Sequence, residues 1–133
     1  MSKRMTKGEF QDTLGAFNPV GHAMLAFATE ADAADAAAAL AQQGFAAEDI
    51  ISYSSAELLP KIEHAVRNAS EAAGFGYEIN LMKRYMTLAT ENCGWLLVYS
   101  PEEEQTKKVQ AVARQLGAKS AVHYGRLLHE DLV

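Results

Sequence analysis

The feature that most constrains this chain is a segment that occurs twice. Residues 24–53 and 95–124 each read as a strand, a capped helix, a glycine stop and a second strand. In the first copy Met24-Leu25-Ala26-Phe27-Ala28 leads into Thr29-Glu30, and the helical stretch stops at Gly44 before Ile50-Ile51-Ser52-Tyr53. In the second, Trp95-Leu96-Leu97-Val98-Tyr99 leads into Ser100-Pro101-Glu102, and the stretch stops at Gly117 before Ala121-Val122-His123-Tyr124. Each copy is a βαβ-type unit. Two such units in tandem usually share one antiparallel sheet, with their helices on one face.

The helix boundaries carry their own signals. Thr29 is placed to cap the first helix, Glu30 and Asp32 suit its positively polarised first turn, and Gly44 suits the position after its end. Ala33, Ala34, Ala36, Ala37, Ala38, Ala39 and Ala41 favour the helix while adding little volume, so it can approach its sheet closely. In the second copy Ser100 at the N-cap, Pro101 at the first helical position and Glu103 two residues later read as a capping box. Val109, Val112, Ala113 and Leu116 supply its apolar face. Losing the Ser100 cap is expected to cost about 1 kcal/mol.

Two further amphipathic stretches lie between the copies. Leu58, Leu59, Ile62, Ala65, Val66, Ala69, Ala72 and Ala73 keep a helical stripe that starts at Ser54 or Ser55, with Pro60 required near its beginning. Gly74-Phe75-Gly76 reads as a hinge. Ile79, Met82, Tyr85, Met86 and Ala89 form the second stripe, which ends near Asn92-Cys93-Gly94. The expected organisation is an N-terminal extension over 1–20 and a single α+β domain over 21–133. Its halves are 23–54 and 94–128, and a helical hairpin is inserted over 55–92. In the extension, Phe10, Leu14 and Phe17 are spaced for a short helix that Pro19 would end.

The predicted fold is a ferredoxin-like duplicated βαβ sandwich with an inserted helical hairpin, in which strands 23–28 and 95–99 form the central pair. Alternation places Leu25, Phe27, Leu96 and Val98 on one side, and Met24, Ala26, Ala28, Trp95, Leu97 and Tyr99 on the other. Both sides are apolar, so something must cover the second one. The inserted hairpin, the same face of a second subunit, and a ligand are the three covers open to it.

Charge and cysteine usage narrow the function classes. A net charge of −5, a pI near 5.3 and basic residues that form no stripe oppose a nucleic-acid surface. Lys3, Arg4 and Lys7 form one small basic cluster, read as a solvated tail. One cysteine, Cys93, rules out an internal disulfide and fits a reducing compartment. The N-terminus lacks the apolar run of a signal peptide, and no stretch approaches the ~20 apolar residues of a membrane helix. The expected location is the cytoplasm, with no membrane and no nucleic-acid partner.

No group of residues forms a recognised catalytic signature. His22, His64, His123 and His129 have no metal-ligand spacing; His123 and His129 on one unbroken strand would lie about 20 Å apart at ~3.3 Å per residue. Neither metal nor cofactor is expected. Cys93 follows a helix C-terminus, where the dipole disfavours a thiolate, and reads as a structural thiol. Gly74-Phe75-Gly76 follows a helix rather than a strand and lacks the context of a dinucleotide loop. Tyr77, Glu78, Lys83, Arg84 and Tyr85 cluster at the start of the second inserted helix, where a wet amphipathic face is the simpler reading. Glu63 and Arg67 are an ordinary surface pair.

The order of elements resembles the small bacterial general stress proteins with a heat-induced, YflT-like domain. The resemblance covers 23–124. It rests on Thr29-Glu30-Ala31-Asp32-Ala33-Ala34 after the opening strand, on the Leu40–Gly44 turn with Phe45 and Glu48-Asp49-Ile50, and on Tyr85 to Gly94-Trp95-Leu96-Leu97-Val98. Pro101-Glu102-Glu103-Glu104 and the helix end at Leu116-Gly117-Ala118 also fit. The chain departs from the family over 55–92, where a Gly- and Ala-rich stretch is common. The resemblance implies a small cytosolic domain connected with stress and brings no catalytic residues with it.

The functional expectation is a non-enzymatic, stress-related binding or regulatory module that self-associates as a homodimer. The alternative is a cofactor-independent enzyme or small-ligand-binding protein with a pocket between sheet and hairpin. Tyr53, Tyr85, Trp95, Tyr99 and His123 are its candidate lining, and His123 its one acid or base near neutral pH.

Overall fold

A computed structural model describes residues 12–13, 16–17, 19–71, 76–125 and 129–133. Two short strands, β1 (Asp12–Thr13) and β2 (Ala16–Phe17), pair with each other, and β2 lies against a helix of the insert. The expected helix over Phe10, Leu14 and Phe17 is thus replaced at Phe17 by a strand; Phe10 and Leu14 lie outside the described residues. The first half follows as β3 (His22–Phe27), α1 (Glu30–Gln42) and β4 (Ile50–Ser54), with a 3-10 turn at Ala47–Asp49 before β4. The insert is α2 (Ser55–Glu71) and α3 (Gly76–Thr90). The second half is β5 (Gly94–Tyr99), α4 (Glu103–Gln115) and β6 (Ser120–Tyr124), and β7 (His129–Asp131) follows it.

The result is an α+β fold with one five-stranded antiparallel sheet, ordered β4-β5-β3-β6-β7, and four helices among the described residues. The two opening strands form the expected central pair, with Ala23 opposite Val98 and Phe27 opposite Gly94. Each half wraps around a strand of the other: β5 separates β3 from β4, and β3 separates β5 from β6. Such interleaving requires both halves for either to close.

One sheet face meets α1 and α4. Ala23, Leu25, Phe27, Leu96 and Val98 pack there with Ala36, Leu40, Val109, Val112 and Ala113 in a wholly buried cluster. The other face carries Met24, Ala26, Tyr53, Trp95, Leu97, Val122 and Tyr124. The inserted hairpin covers it, through Leu58 and Ile62 of α2 and Leu81, Met82, Tyr85, Leu88 and Ala89 of α3. The chain therefore supplies the cover that the double-sided apolar alternation demanded. The described part of the hinge is Gly76, the first residue of α3. The stripe positions Ala65, Val66, Ala69, Ala72, Ala73 and Ile79 fall outside the side chains described.

The duplicated helices stop in the same way. At α1 the amides of Gly44 and Phe45 donate to Ala41 and Leu40, and at α4 those of Gly117 and Ala118 donate to Arg114 and Ala113. With φ of 101° at Gly44 and 70° at Gly117, each is a left-handed stop in the Schellman pattern. Their starts differ. Thr29 caps α1 as expected, its Oγ1 accepting the Asp32 amide at 3.0 Å.

The Ser100 capping box does not form. α4 begins later, capped by Glu102 in a box with Gln105, whose Oε1 accepts the Glu102 amide. Ser100 is instead buried, its hydroxyl bonded to the Val98 carbonyl and its own carbonyl taken by Thr106 Oγ1 and a ring nitrogen of His123. Leu116 ends up as an exposed C-cap rather than part of the apolar face.

Two further expectations are corrected, at Ala28 and at Pro60. Ala28 is exposed beyond the end of β3 rather than part of it. Pro60 sits in the second turn of α2, where its ring leaves the Ala56 carbonyl without the usual helical donor. The strand that ends at Tyr124 does not continue to His129; β7 folds back onto β6 with Tyr124 opposite His129. Leu132 then seals the end: its amide donates to Ala121, and its carbonyl accepts from Gln110 Nε2 and Arg114 Nε.

Candidate functional site

Strand register decides which candidate residues meet. Tyr53 is paired with Trp95 across β4 and β5, and both side chains enter the core beneath the hairpin, where Tyr85 joins them. Tyr85 meets Trp95 edge-on with ring centroids 5.4 Å apart. Tyr99 shares their sheet face but lies at its far end, against His22 at 5.0 Å. His123 lies opposite Ala23, which belongs to the α1/α4 face, and its Nε2 donates to the Ser100 carbonyl at 2.9 Å. The five residues expected to line one pocket are therefore split between both faces. Trp95 and Tyr85 are packed in the core beneath the hairpin, at 0% and 1% exposure.

That core contains directional polar ties. Trp95 Nε1 donates to Ser55 Oγ at 3.0 Å, and Ser55 Oγ donates to the Cys93 carbonyl at 2.8 Å. The hydroxyls of Tyr85 and Tyr124 bond at 2.9 Å, and Tyr124 meets the ring of His129 at 4.5 Å. Arg84 reaches Ser120 Oγ at 3.0 Å and Asp131 at 3.6 Å, tying α3 to β6 and β7. Of the five residues read together at the start of α3, Tyr85 is thus core, Arg84 a tie and Lys83 exposed; the side chains of Tyr77 and Glu78 lie outside those described. Buried polar groups satisfied in this way fix one docking geometry.

A cavity of about 330 Å³ lies elsewhere, half-open to solvent, where the first turns of α1 overhang the edge strand β4. Glu30, Ala33 and Ala34 wall it from α1, Ser52, Tyr53 and Ser54 from β4, Glu57 from α2, and Gly94 and Trp95 from β5. Its shape follows from side-chain size. A Cβ at Gly94 would lie 2.6 Å from Glu30 Cα and 2.7 Å from the Thr29 carbonyl, so only glycine lets α1 sit this close to β5. Ser52 and Ser54, on the edge strand beside it, are too small to fill what remains.

The far wall is rigid for a different reason. Ser54 and Glu57 exchange bonds, the Ser54 amide donating to Glu57 Oε1 at 2.9 Å and the Glu57 amide to Ser54 Oγ at 3.1 Å. This capping box opens α2 and holds the Glu57 carboxylate at the cavity mouth. Burial, with the charge of Glu57 adding to it, pushes the Tyr53 phenol up to about 12, so the hydroxyl stays neutral in the core behind the cavity. The site offers two carboxylates and serine hydroxyls.

The cavity residues are not the ones the sequence singled out, apart from Tyr53 and Trp95. Two signals were present: serines at alternate positions of an otherwise apolar strand, and the Ser54-x-x-Glu57 capping box. Cys93 is buried and burial pushes its thiol up, which suits a structural thiol. His22 is also buried, and burial lowers its pKa against the pull of the Val20 and Pro19 carbonyls. Among the described residues no three metal-ligating side chains group together, and no helix is long and apolar enough to cross a membrane. No family model, curated protein or solved structure matches the chain.

Proposed function

We propose that the chain is a small non-enzymatic binding module whose ligand site is the cavity at the β4 edge, and that the ligand presents a positively charged group. One observation carries this reading: a preformed cavity of about 330 Å³ whose mouth holds Glu30 and Glu57 beside the hydroxyls of Ser52 and Ser54. Paired carboxylates beside serine hydroxyls suit an ammonium or guanidinium, which gains charge-assisted hydrogen bonds.

The fold is read more finely as ferredoxin-like with an inserted hairpin, because the four strands of the two halves follow the interleaved order of a split βαβ pair. The resemblance to heat-induced general stress proteins supports a cytoplasmic, stress-connected role for such a module. The homodimer expectation rested on the second sheet face, which the hairpin occupies, and the binding reading stands without it.

The test is an amide-shift titration with small organic cations, butylamine and methylguanidine, against butyrate as control. The reading expects saturable shifts at Glu30, Ser52, Ser54 and Gly94 with the cations alone. Shifts scattered over the surface, or equal shifts with butyrate, would overturn it.

A further inference from the structure

The two edges of the sheet are not equivalent. β7 is three residues long and carries Glu130 and Asp131, features that discourage further pairing. β4 is Ile50-Ile51-Ser52-Tyr53-Ser54, five residues without Pro, Lys or a bulge, and among the described residues nothing pairs with its outer side. The ladder shows which groups point outward. The Ile50 amide bonds to the Ala47 carbonyl and the Ser54 amide to Glu57, so neither serves β5. In an antiparallel ladder alternate residues share that direction, and Ser52 between them therefore turns its N–H and C=O outward.

Resting on the binding reading above, we infer that β4 accepts an extended basic peptide segment as a sixth strand, with one lysine or arginine side chain seated in the cavity. Backbone pairing at Ser52 supplies affinity, and the cavity, lined by the same Ser52 and opening on the same edge, selects the side chain that follows it. Charge decides the occupant. Glu30 and Glu57 stand at the cavity, and Glu48 and Asp49 at the start of β4. A second copy paired antiparallel about Ser52 would bring acidic ends of β4 and α2 together, whereas a basic segment meets an acidic rim.

The experiment uses the full chain and a blocked heptapeptide alternating valine and threonine around a central lysine. Its controls are the same peptide with central glutamate, the lysine peptide N-methylated on its pairing edge, and free butylamine. Binding of the lysine peptide is expected to slow hydrogen exchange at the Ser52 amide. N-methylation is expected to weaken it about tenfold and Glu30→Gln about threefold, each a loss of a hydrogen bond or a half-exposed charge contact. Equal binding of the lysine and N-methylated peptides, with butylamine still bound, would overturn strand addition while leaving the cavity reading intact. A Ser52 amide already protected in the free protein, with sedimentation showing a dimer, would assign the edge to a second copy and overturn the inference.

Discussion

The two faces of the sheet are held by different physics. The α1/α4 face belongs to the duplicated halves and is built from Ala, Leu, Val and Phe, with Gly94 and the alanines of α1 allowing helix and sheet to close tightly. The other face meets the insert and is built around Trp95, Tyr85, Tyr124 and Tyr53, with hydrogen bonds joining Tyr85 to Tyr124 and Trp95 to Ser55. Shape complementarity suffices where two copies of one unit interleave. An inserted hairpin has no such partner to enforce its position, and the directional ties supply the register instead.

The largest effect should separate the faces. Trp95→Ala is expected to lower stability by about 3–5 kcal/mol, because it empties the centre of the hairpin core. It also removes the donor to Ser55 Oγ, so the hairpin loses a tie as well as volume. Leu40→Ala, equally buried on the other face, should cost about 2–4 kcal/mol with no polar group orphaned. Urea denaturation of both variants checks this, with Trp95→Phe as the variant that keeps most volume and loses only the tie. If Trp95→Phe is as stable as the parent, the ties contribute nothing and the contrast between the faces collapses to side-chain size.

What the sequence made legible was the part enforced by repetition. The paired strands, the glycine stops at Gly44 and Gly117, the Thr29 cap and the double-sided alternation all follow from local chemistry stated twice. The start of α4 did not, because Ser100-x-x-Glu103 and Glu102-x-x-Gln105 are competing capping patterns. Tertiary bonds to the Ser100 carbonyl from His123 and Thr106 decide between them. β7 was hidden because a three-residue His-Glu-Asp strand has no apolar alternation to show. The face of His123 depends on its register against Ala23, which no single strand reveals. The cavity was least legible, since it arises from a gap: small serines beside a glycine that draws a helix close.

Acid and alkali should next sharpen the comparison, because the groups whose pKa is moved by burial, His22, Tyr53, Cys93 and His129, all lie on the hairpin-facing side or its margin. His22 and His129 are lowered from 6.5 in the fold. As pH falls below that value the unfolded chain binds protons that the folded chain resists, and stability declines until the lowered folded values are passed. Cys93 and Tyr53 are raised from 9.0 and 10.0, so above those values the unfolded chain releases protons that the folded chain keeps, and stability declines again, for Tyr53 up to about 12. Melting temperature against pH should show a plateau between these limbs. Tyr53→Phe should reduce the loss above pH 10, and His22→Gln should flatten the acid limb; a limb unmoved by its own variant would assign that loss to other groups.

The smallest effects compare the stops. No heavy atom lies within 4 Å of a Cβ built at Gly44 or Gly117, so substitution there costs backbone strain alone. The insert uses Asn92 at φ 64° for the same purpose, close to the left-handed minimum that a side chain tolerates. Gly117, at 70°, is near that minimum, while Gly44, at 101°, is well outside it. Gly117→Ala should therefore cost about 1 kcal/mol and Gly44→Ala closer to 2 kcal/mol, with Asn recovering part of the loss at 117 and little at 44. Thermal denaturation of the four variants would read the order directly. Equal costs at the two glycines would mean that α1 relaxes its last turn toward the geometry of α4, making the halves more alike in solution than their 31° difference in φ implies.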